Sequence, residues 1–211
     1  MEILFFDEID STHKFLLTKI KSKEITDAVC VVADHQTGGV GSRGNEWISQ
    51  KGNLFLSLCV DLKQLPKDLP LQSTSIYFAY IFKEILSSEG SKIWVKWPND
   101  FYIKDKKIGG VITVKTSQFI VCSIGLNILH SPENFDKIDM EIDRDEFVRK
   151  FIKKIRKNIS WKQVFSKYKI EFQKSRKFNF HYNGDEFSLE KAELDFDGSV
   201  LVDGRKIYNL R

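Results

Sequence analysis

The residues best suited to chemistry lie in two stretches of this chain. One is Lys96-Trp-Pro-Asn-Asp100, followed closely by Lys107 and Gly109-Gly110. Apolar runs bracket it: Ile93-Trp94-Val95 before, Val111-Ile112-Thr113-Val114 after. The other is the polar segment from His35 to Gly52, where Gly38, Gly39, Gly41 and Gly44 surround Arg43. Polar groups concentrated between β-like runs contribute little to a core and mark a site. The glycines let backbone N–H groups approach an anion, and Arg43 adds charge-assisted hydrogen bonds.

Gly39-Val-Gly-Ser-Arg-Gly44 matches the letters of the dinucleotide fingerprint and follows a strand. That fingerprint also needs a helix opening at the loop, so that its N-terminus meets the pyrophosphate. Asn45-Glu-Trp-Ile-Ser-Gln-Lys-Gly52 shows no helical apolar period and leads into another strand, so the dinucleotide reading is set aside. No Gly-Lys-Ser/Thr follows, which excludes a Walker loop.

The elements that must carry these residues are legible as apolar runs. Ile3–Phe6, 28–33, 53–60, 93–97 and 119–129 read as strands, and Phe101–Ile103 with Ile108–Val114 as a hairpin over Lys104–Lys107. Asp10-Ser11-Thr12 heads a first helix, 71–88 has helical spacing, and two helices follow over 145–159 and 160–175, the last opening on a capping box, Ser160-Trp-Lys-Gln163. After Lys177, Asn183-Gly184, Asp197-Gly198 and Asp203-Gly204 punctuate short alternating stretches, a hairpin signature. The division is 1–176 for the main domain and 177–211 for a small β domain. At 211 residues with 42% hydrophobic content, the chain has enough apolar mass for a real core. A net charge of +4 is too small to argue for duplex DNA and suits an anionic small ligand or an acidic partner protein. Cys30, Cys59 and Cys122 each sit in an apolar run, as buried free thiols of a reducing compartment do. No apolar run approaches the ~20 residues of a membrane span, so a cytoplasmic protein is expected.

Taken together, Gln36-Thr-Gly-Gly-Val-Gly-Ser-Arg-Gly-Asn-Glu-Trp47 and Lys96-Trp-Pro-Asn-Asp100 with Lys107 and Gly109-Gly110 resemble the biotin–protein ligase family. Ser11-Thr12 and Gly125-Leu-Asn127 fall in the family's order, and the β-rich tail is similar to its C-terminal barrel. The resemblance implies an α/β (α+β) fold, a mixed sheet with flanking helices of the class II synthetase type, and a small SH3-like barrel after it. It implies an AMP-forming enzyme: ATP, Mg²⁺ and biotin give biotinyl-5′-adenylate, which a lysine of a biotin carboxyl carrier domain of acetyl-CoA carboxylase then attacks. Two anions must meet, which calls for cations and N–H donors. The resemblance assigns that central role to Lys107, next to Ile108 and the glycine pair, with Arg43 and Asp100 beside it; Lys104 and Lys106 read as solvated. Biotin would be held by Ser11, Thr12, His13, Gln36, Val40, Gly41, Ser42, Trp47, Lys107 and Gly110. ATP would be held by Arg43, Trp47, Lys96, Asn99, Asp100 and Asn127, with Asp100 and Asn127 as oxygen donors suited to Mg²⁺. Pro98 and Asn99 shape the turn.

The chain departs from the family pattern at Val40, Ser42 and Asn45, where members often carry arginine, and at His13, where asparagine is common. Fewer cations predict a weaker hold on the adenylate. The first strand begins at Ile3, so a ligase without the DNA-binding repressor module of some members is expected, as monomer or homodimer. A lipoate or octanoate ligase of the same superfamily is the first alternative. A nucleic-acid-binding module using Phe178, Phe180 and Tyr182 is the second, and the acidic residues after them (Asp185, Glu186, Glu190, Glu193) oppose it.

Overall fold

The computed structural model describes residues 1–208, and of Arg43 the backbone alone. Seven strands form one mixed sheet: β1 (Glu2–Ile9), β2 (Val29–Gln36), β3 (Leu54–Asp61), β4 (Trp94–Lys96), β5 (Asp100–Ile103), β6 (Lys106–Lys115) and β7 (Phe119–Leu126). Their order is β1-β2-β3-β7-β6-β5-β4. Only β1 and β2 run parallel, joined through α1 (Thr12–Lys21), as a parallel pair requires a crossover. The other helices are α2 (Thr74–Ser88), α3 (Arg144–Ile155) and α4 (Trp161–Glu171). The expected mixed α/β architecture is therefore present.

Strand alternation assigns the two faces of the sheet. On β7, Ile120, Cys122, Ile124 and Leu126 join the large core shared with α2, α3 and α4. Phe119 and Val121 face the other way and pack with Leu16 of α1 in a smaller cluster. On β3, Leu54, Leu56, Leu58 and Val60 enter the large core, and Cys59 the small one. The α1 cluster covers only part of its face. Ser57 and Ser123 continue the same alternation beyond it, Ser57 fully buried and Ser123 at the edge of the part that stays open.

Element boundaries moved where side chains took over backbone pairing. β7 stops at Leu126 rather than 129, because the N–H groups of Ile128, Leu129 and His130 all donate to Asn53 Oδ1, at 2.9, 3.0 and 3.1 Å. β2 runs on through Gln36, so the glycine segment begins at Thr37. α2 opens at Thr74 after a 3₁₀ turn, and α4 ends at Glu171 in another, Phe172–Lys177. α3 closes at Ile155. The three cysteines are buried and free.

The tail contains β8 (Asn179–Tyr182) paired with β9 (Asp185–Ser188), and a second sheet of β10 (Glu193–Leu194), β11 (Val200–Val202) and β12 (Arg205–Ile207). Phe180, Phe187, Leu189, Val200 and Ile207 belong to the same hydrophobic cluster as the main sheet. The Trp97–Pro98 peptide is cis, and Trp97 bridges sheet and tail. Its backbone N–H donates to Ser175 Oγ at 3.0 Å, its indole N–H to the Gly198 carbonyl at 2.9 Å, and its ring meets Phe180 edge-on at 4.9 Å. Among the described residues, no helix is long and apolar enough to cross a membrane.

Candidate active site

The open part of the α1 face is a cleft of about 480 Å³. Its walls come from the start of α1 (Ser11, His13), the end of β2 (Gln36), the glycine loop (Val40, Gly41, Ser42, Trp47), and strands β5, β6 and β7. Seven of the expected residues therefore meet Asn99, Asp100, Lys107 and Gly110 in one place, although up to 99 positions separate them.

Each is positioned for a local reason. Ser11 is the N-cap of α1, its Oγ accepting from the Lys14 N–H at 3.4 Å while its own proton stays free for the cleft. The glycine loop closes on itself through Gly41 N–H to Asn45 O (2.8 Å) and Trp47 N–H to Gly39 O (2.9 Å), and Ser49 Oγ ties its base to the Gln36 N–H at 2.8 Å. After Gly44 the chain turns back instead of starting a helix, which removes the dinucleotide geometry. The Trp47 indole lies flat against Gly125, where a Cβ would come within 2.6 Å of the ring.

A β-bulge aims Lys107. Regular pairing from Asp100–Gly110 and Phe101–Gly109 would set Tyr102 opposite Ile108 and send Lys107 toward the core. The register shifts, and Tyr102 pairs with Lys107 instead. Ile108 then enters the large core, and Lys107 emerges on the face of Asp100, its Nζ 2.7 Å from Oδ1. Gly110 lies beneath this ion pair, where a Cβ would meet Asp100 Oδ1 at 3.1 Å. Gly109 has a different task from its neighbour: a Cβ there would strike the Gly125 carbonyl on the adjacent strand, so it permits close strand packing, not ligand approach. Asn99 fixes the turn, its Nδ2 donating to the Val111 carbonyl and its own carbonyl accepting from the Val111 N–H at 2.9 Å.

Three expected residues are placed elsewhere. Thr12 is buried behind the cleft; its N–H donates to Gln36 Oε1 at 2.9 Å, and its hydroxyl lies 3.1 Å from that oxygen and 2.8 Å from Ser57 Oγ. Lys96 points to the tail: Nζ donates to the Asn179 carbonyl at 3.2 Å and sits over the rings of Phe178 and Tyr102, burial lowering its pKa while Asp100 pulls the other way. Asn127 lines a neighbouring cavity of about 390 Å³ with Trp47, Ile48 and Phe135, and its Nδ2 donates to the Asp136 carbonyl at 3.1 Å. Asp100 and Asn127 thus line two different cavities that share Trp47, and no cluster of three His, Cys, Asp or Glu side chains that could hold a metal ion occurs among the described residues. The Arg43 side chain lies outside the described residues.

Ser57 and Ser123 were missed. Both extend a buried hydroxyl chain from Thr12 to His13 Nδ1, with Ser57 donating to Ser123 at 2.7 Å and Ser123 2.8 Å from the imidazole. Their signal was present as lone serines inside the apolar runs Leu54–Val60 and Phe119–Ile124. Burial lowers the His13 pKa, favouring the neutral ring.

A cleft that gathers hydrogen-bond donors, a lysine and a glycine loop on a mixed sheet has the chemistry that suits a small anionic molecule. The family model for biotin/lipoate A/B protein ligases matches residues 5–128, and the chain belongs to that family. The crystal structure of biotin acetyl coenzyme A carboxylase synthetase from Helicobacter pylori, with bound biotinylated ATP, superimposes with a TM-score of 0.93 at 40% identity, covering 98% of this chain and 99% of that one. The bifunctional ligase/repressor BirA of Salmonella typhimurium is 33% identical over 165 residues, 70% of this chain and 50% of that protein. The biotin–[acetyl-CoA-carboxylase] ligase of Mycobacterium tuberculosis is 30% identical over 134 residues, 60% and 49% respectively. The chain spans about half the length of these curated relatives.

Proposed function

We propose that this protein is a biotin–protein ligase that activates biotin with ATP and passes the biotinyl group to a lysine of a carrier domain of acetyl-CoA carboxylase. One observation carries the reading: a single cleft presents the Ser11, His13 and Gln36 donors near α1, His13 lying on Ser123 of β7, and Lys107 with Asp100 on β6 and β5, one and two strands beyond β7. Ser123 pairs with Ile112, and Gly125 with Gly110, which pairs with Asp100. At the usual strand spacing that separation is roughly 10 Å. A span of that order suits an acid whose polar head and carboxylate are joined by a short aliphatic chain. Biotin's cyclic urea would engage the donors; the ring of lipoate or the alkyl end of octanoate would leave them unpaired, which is costly in a buried site.

In this reading the carboxylate oxygen attacks the α-phosphorus of ATP, forming the mixed anhydride as pyrophosphate departs. Lys107 leaves Asp100 to bridge the carboxylate and α-phosphate oxygens, where negative charge builds. Trp47 separates the acid from the neighbouring cavity, and Asn127 with Phe135 there forms the nucleotide's side of the site. The carrier lysine amine then attacks the acyl carbon and releases AMP. Asp100 and Asn127, on the two cavities that share Trp47, are the oxygen donors that would face a Mg²⁺ ion carried by the triphosphate, and the ion would neutralise charge on the phosphate oxygens.

The test is biotin-dependent ATP–pyrophosphate exchange, with acyl-adenylate formation compared for biotin, lipoate and octanoate. Lys107→Ala is expected to lower exchange by roughly 10²-fold or more, the scale of losing one preorganised charge-stabilising group. Exchange unchanged by that substitution would sink the role given to Lys107.

A further inference from the structure

The buried hydroxyls behind the cleft form a chain whose direction can be followed proton by proton. Ser57 Oγ donates to Ser123 Oγ at 2.7 Å. A serine carries one hydroxyl proton, so at its 2.8 Å contact with Thr12 Oγ1, Ser57 accepts and Thr12 donates. Gln36 Oε1, 3.1 Å away, is the other acceptor within reach of the Thr12 hydroxyl proton; it is already held by the Thr12 backbone N–H at 2.9 Å, and the proton goes to the nearer Ser57. Ser123 has not yet spent its proton, and its remaining partner is His13 Nδ1, 2.8 Å away. An Nδ1 that accepts, in a neutral imidazole, leaves the proton on Nε2. Ser57, Thr12 and Ser123 are 0, 2 and 7% exposed, so water does not compete readily for these bonds.

The same bookkeeping of protons describes the cleft. Gln36, with its oxygen pinned by Thr12, offers its Nε2 hydrogens. Ser11 keeps its proton after accepting from Lys14. His13 adds Nε2–H. We propose that Thr12, Ser57 and Ser123 form a one-way hydroxyl chain that holds His13 as its Nε2–H tautomer, making it a donor to the carbonyl of a cyclic urea, with Ser57 and Ser123 as positioning residues for acid recognition. The identity of the ligand rests on the ligase reading; the tautomer does not. A buried neutral histidine left to itself interconverts between two tautomers, one of which turns an acceptor toward the ligand's carbonyl. The chain removes that second form by making Nδ1 the terminal acceptor.

The tautomer is read directly in the unsubstituted, ligand-free protein by long-range ¹H–¹⁵N correlation of the histidine rings, with His13 assigned through its bonds. Nε2–H is the expected result, and Nδ1–H overturns the proposal. Calorimetric titration of biotin into Ser57→Ala and Ser123→Ala is expected to show Kd raised about tenfold while KM for ATP stays close to wild type, each variant remaining folded at a somewhat lowered thermal midpoint. Kd unchanged in both folded variants overturns the positioning role, as does a matching rise in KM for ATP, which would indicate general damage. Absence of biotin binding by the unsubstituted protein overturns the ligase reading instead, and the ring spectrum still decides the chain.

Discussion

Lys107 is already paired with Asp100, about a quarter exposed on each side, so ligand binding exchanges one anion for another instead of bringing a bare ammonium out of water. The glycine loop adds little permanent charge, because Val40, Ser42 and Asn45 are neutral. Dissociation of the adenylate should therefore be faster than from relatives with arginines there; stopped-flow release comparable to theirs would count against this. His13 has a sign that can be worked out. Burial lowers its pKa, so the unfolded chain binds the extra proton first as pH falls below its ordinary value near 6.5. The stability tied to neutral His13 is present above that pH and is lost as pH drops through the depressed folded value. Urea unfolding from pH 7.5 downward should show a decline that flattens in His13→Asn; an identical slope in both proteins would refute it.

At the scale of elements, one helix N-terminus and one bulge decide what the site contains, and a second helix N-terminus away from the site gives the comparison. Ser11 caps α1 and Ser160 caps α4, each side chain accepting a backbone N–H three residues on. Replacing either with alanine should cost about 1 kcal/mol in denaturant unfolding. Only Ser11→Ala should also weaken biotin binding, since only that hydroxyl lines the cleft; equal affinities for the two variants would disprove the dual role. The bulge at Ile108 was invisible in advance, because alternation read from the hairpin alone places Lys107 on the core side. What the sequence shows is the role of Lys107, through its place after the Lys-Trp-Pro-Asn-Asp motif and its neighbours, the apolar Ile108 and two glycines.

Across the whole molecule, the hydrophobic cluster runs without interruption from the main sheet into the tail, and Trp97 bonds to both. Residues 98–100, which end at the ion pair of the cleft, are anchored through that indole. Trp97→Phe keeps the ring and removes its N–H, leaving the Gly198 carbonyl short of a donor at a cost of about 1–3 kcal/mol. Calorimetry should record one unfolding transition for wild type, at a lowered midpoint in Trp97→Phe. Two separate transitions in wild type would show that sheet and tail are energetically independent.

The amino-acid order alone determined the mixed α/β architecture, the lysine and glycine motifs, and eleven of the residues that line the cleft. The elements are local, written in apolar periodicity and capping serines, and the cleft residues are legible because short motifs resemble those of the ligase family. Tertiary structure decided which side of a strand each group faces and what it touches. It turned Lys96 to the tail, sent Asn127 to a second cavity, and put Thr12 behind the cleft. It also joined Ser57 to Ser123, residues 66 positions apart that share a face only because β3 and β7 are neighbours. Strand order and a one-residue shift of register depend on contacts distant in sequence, and no local pattern encodes them.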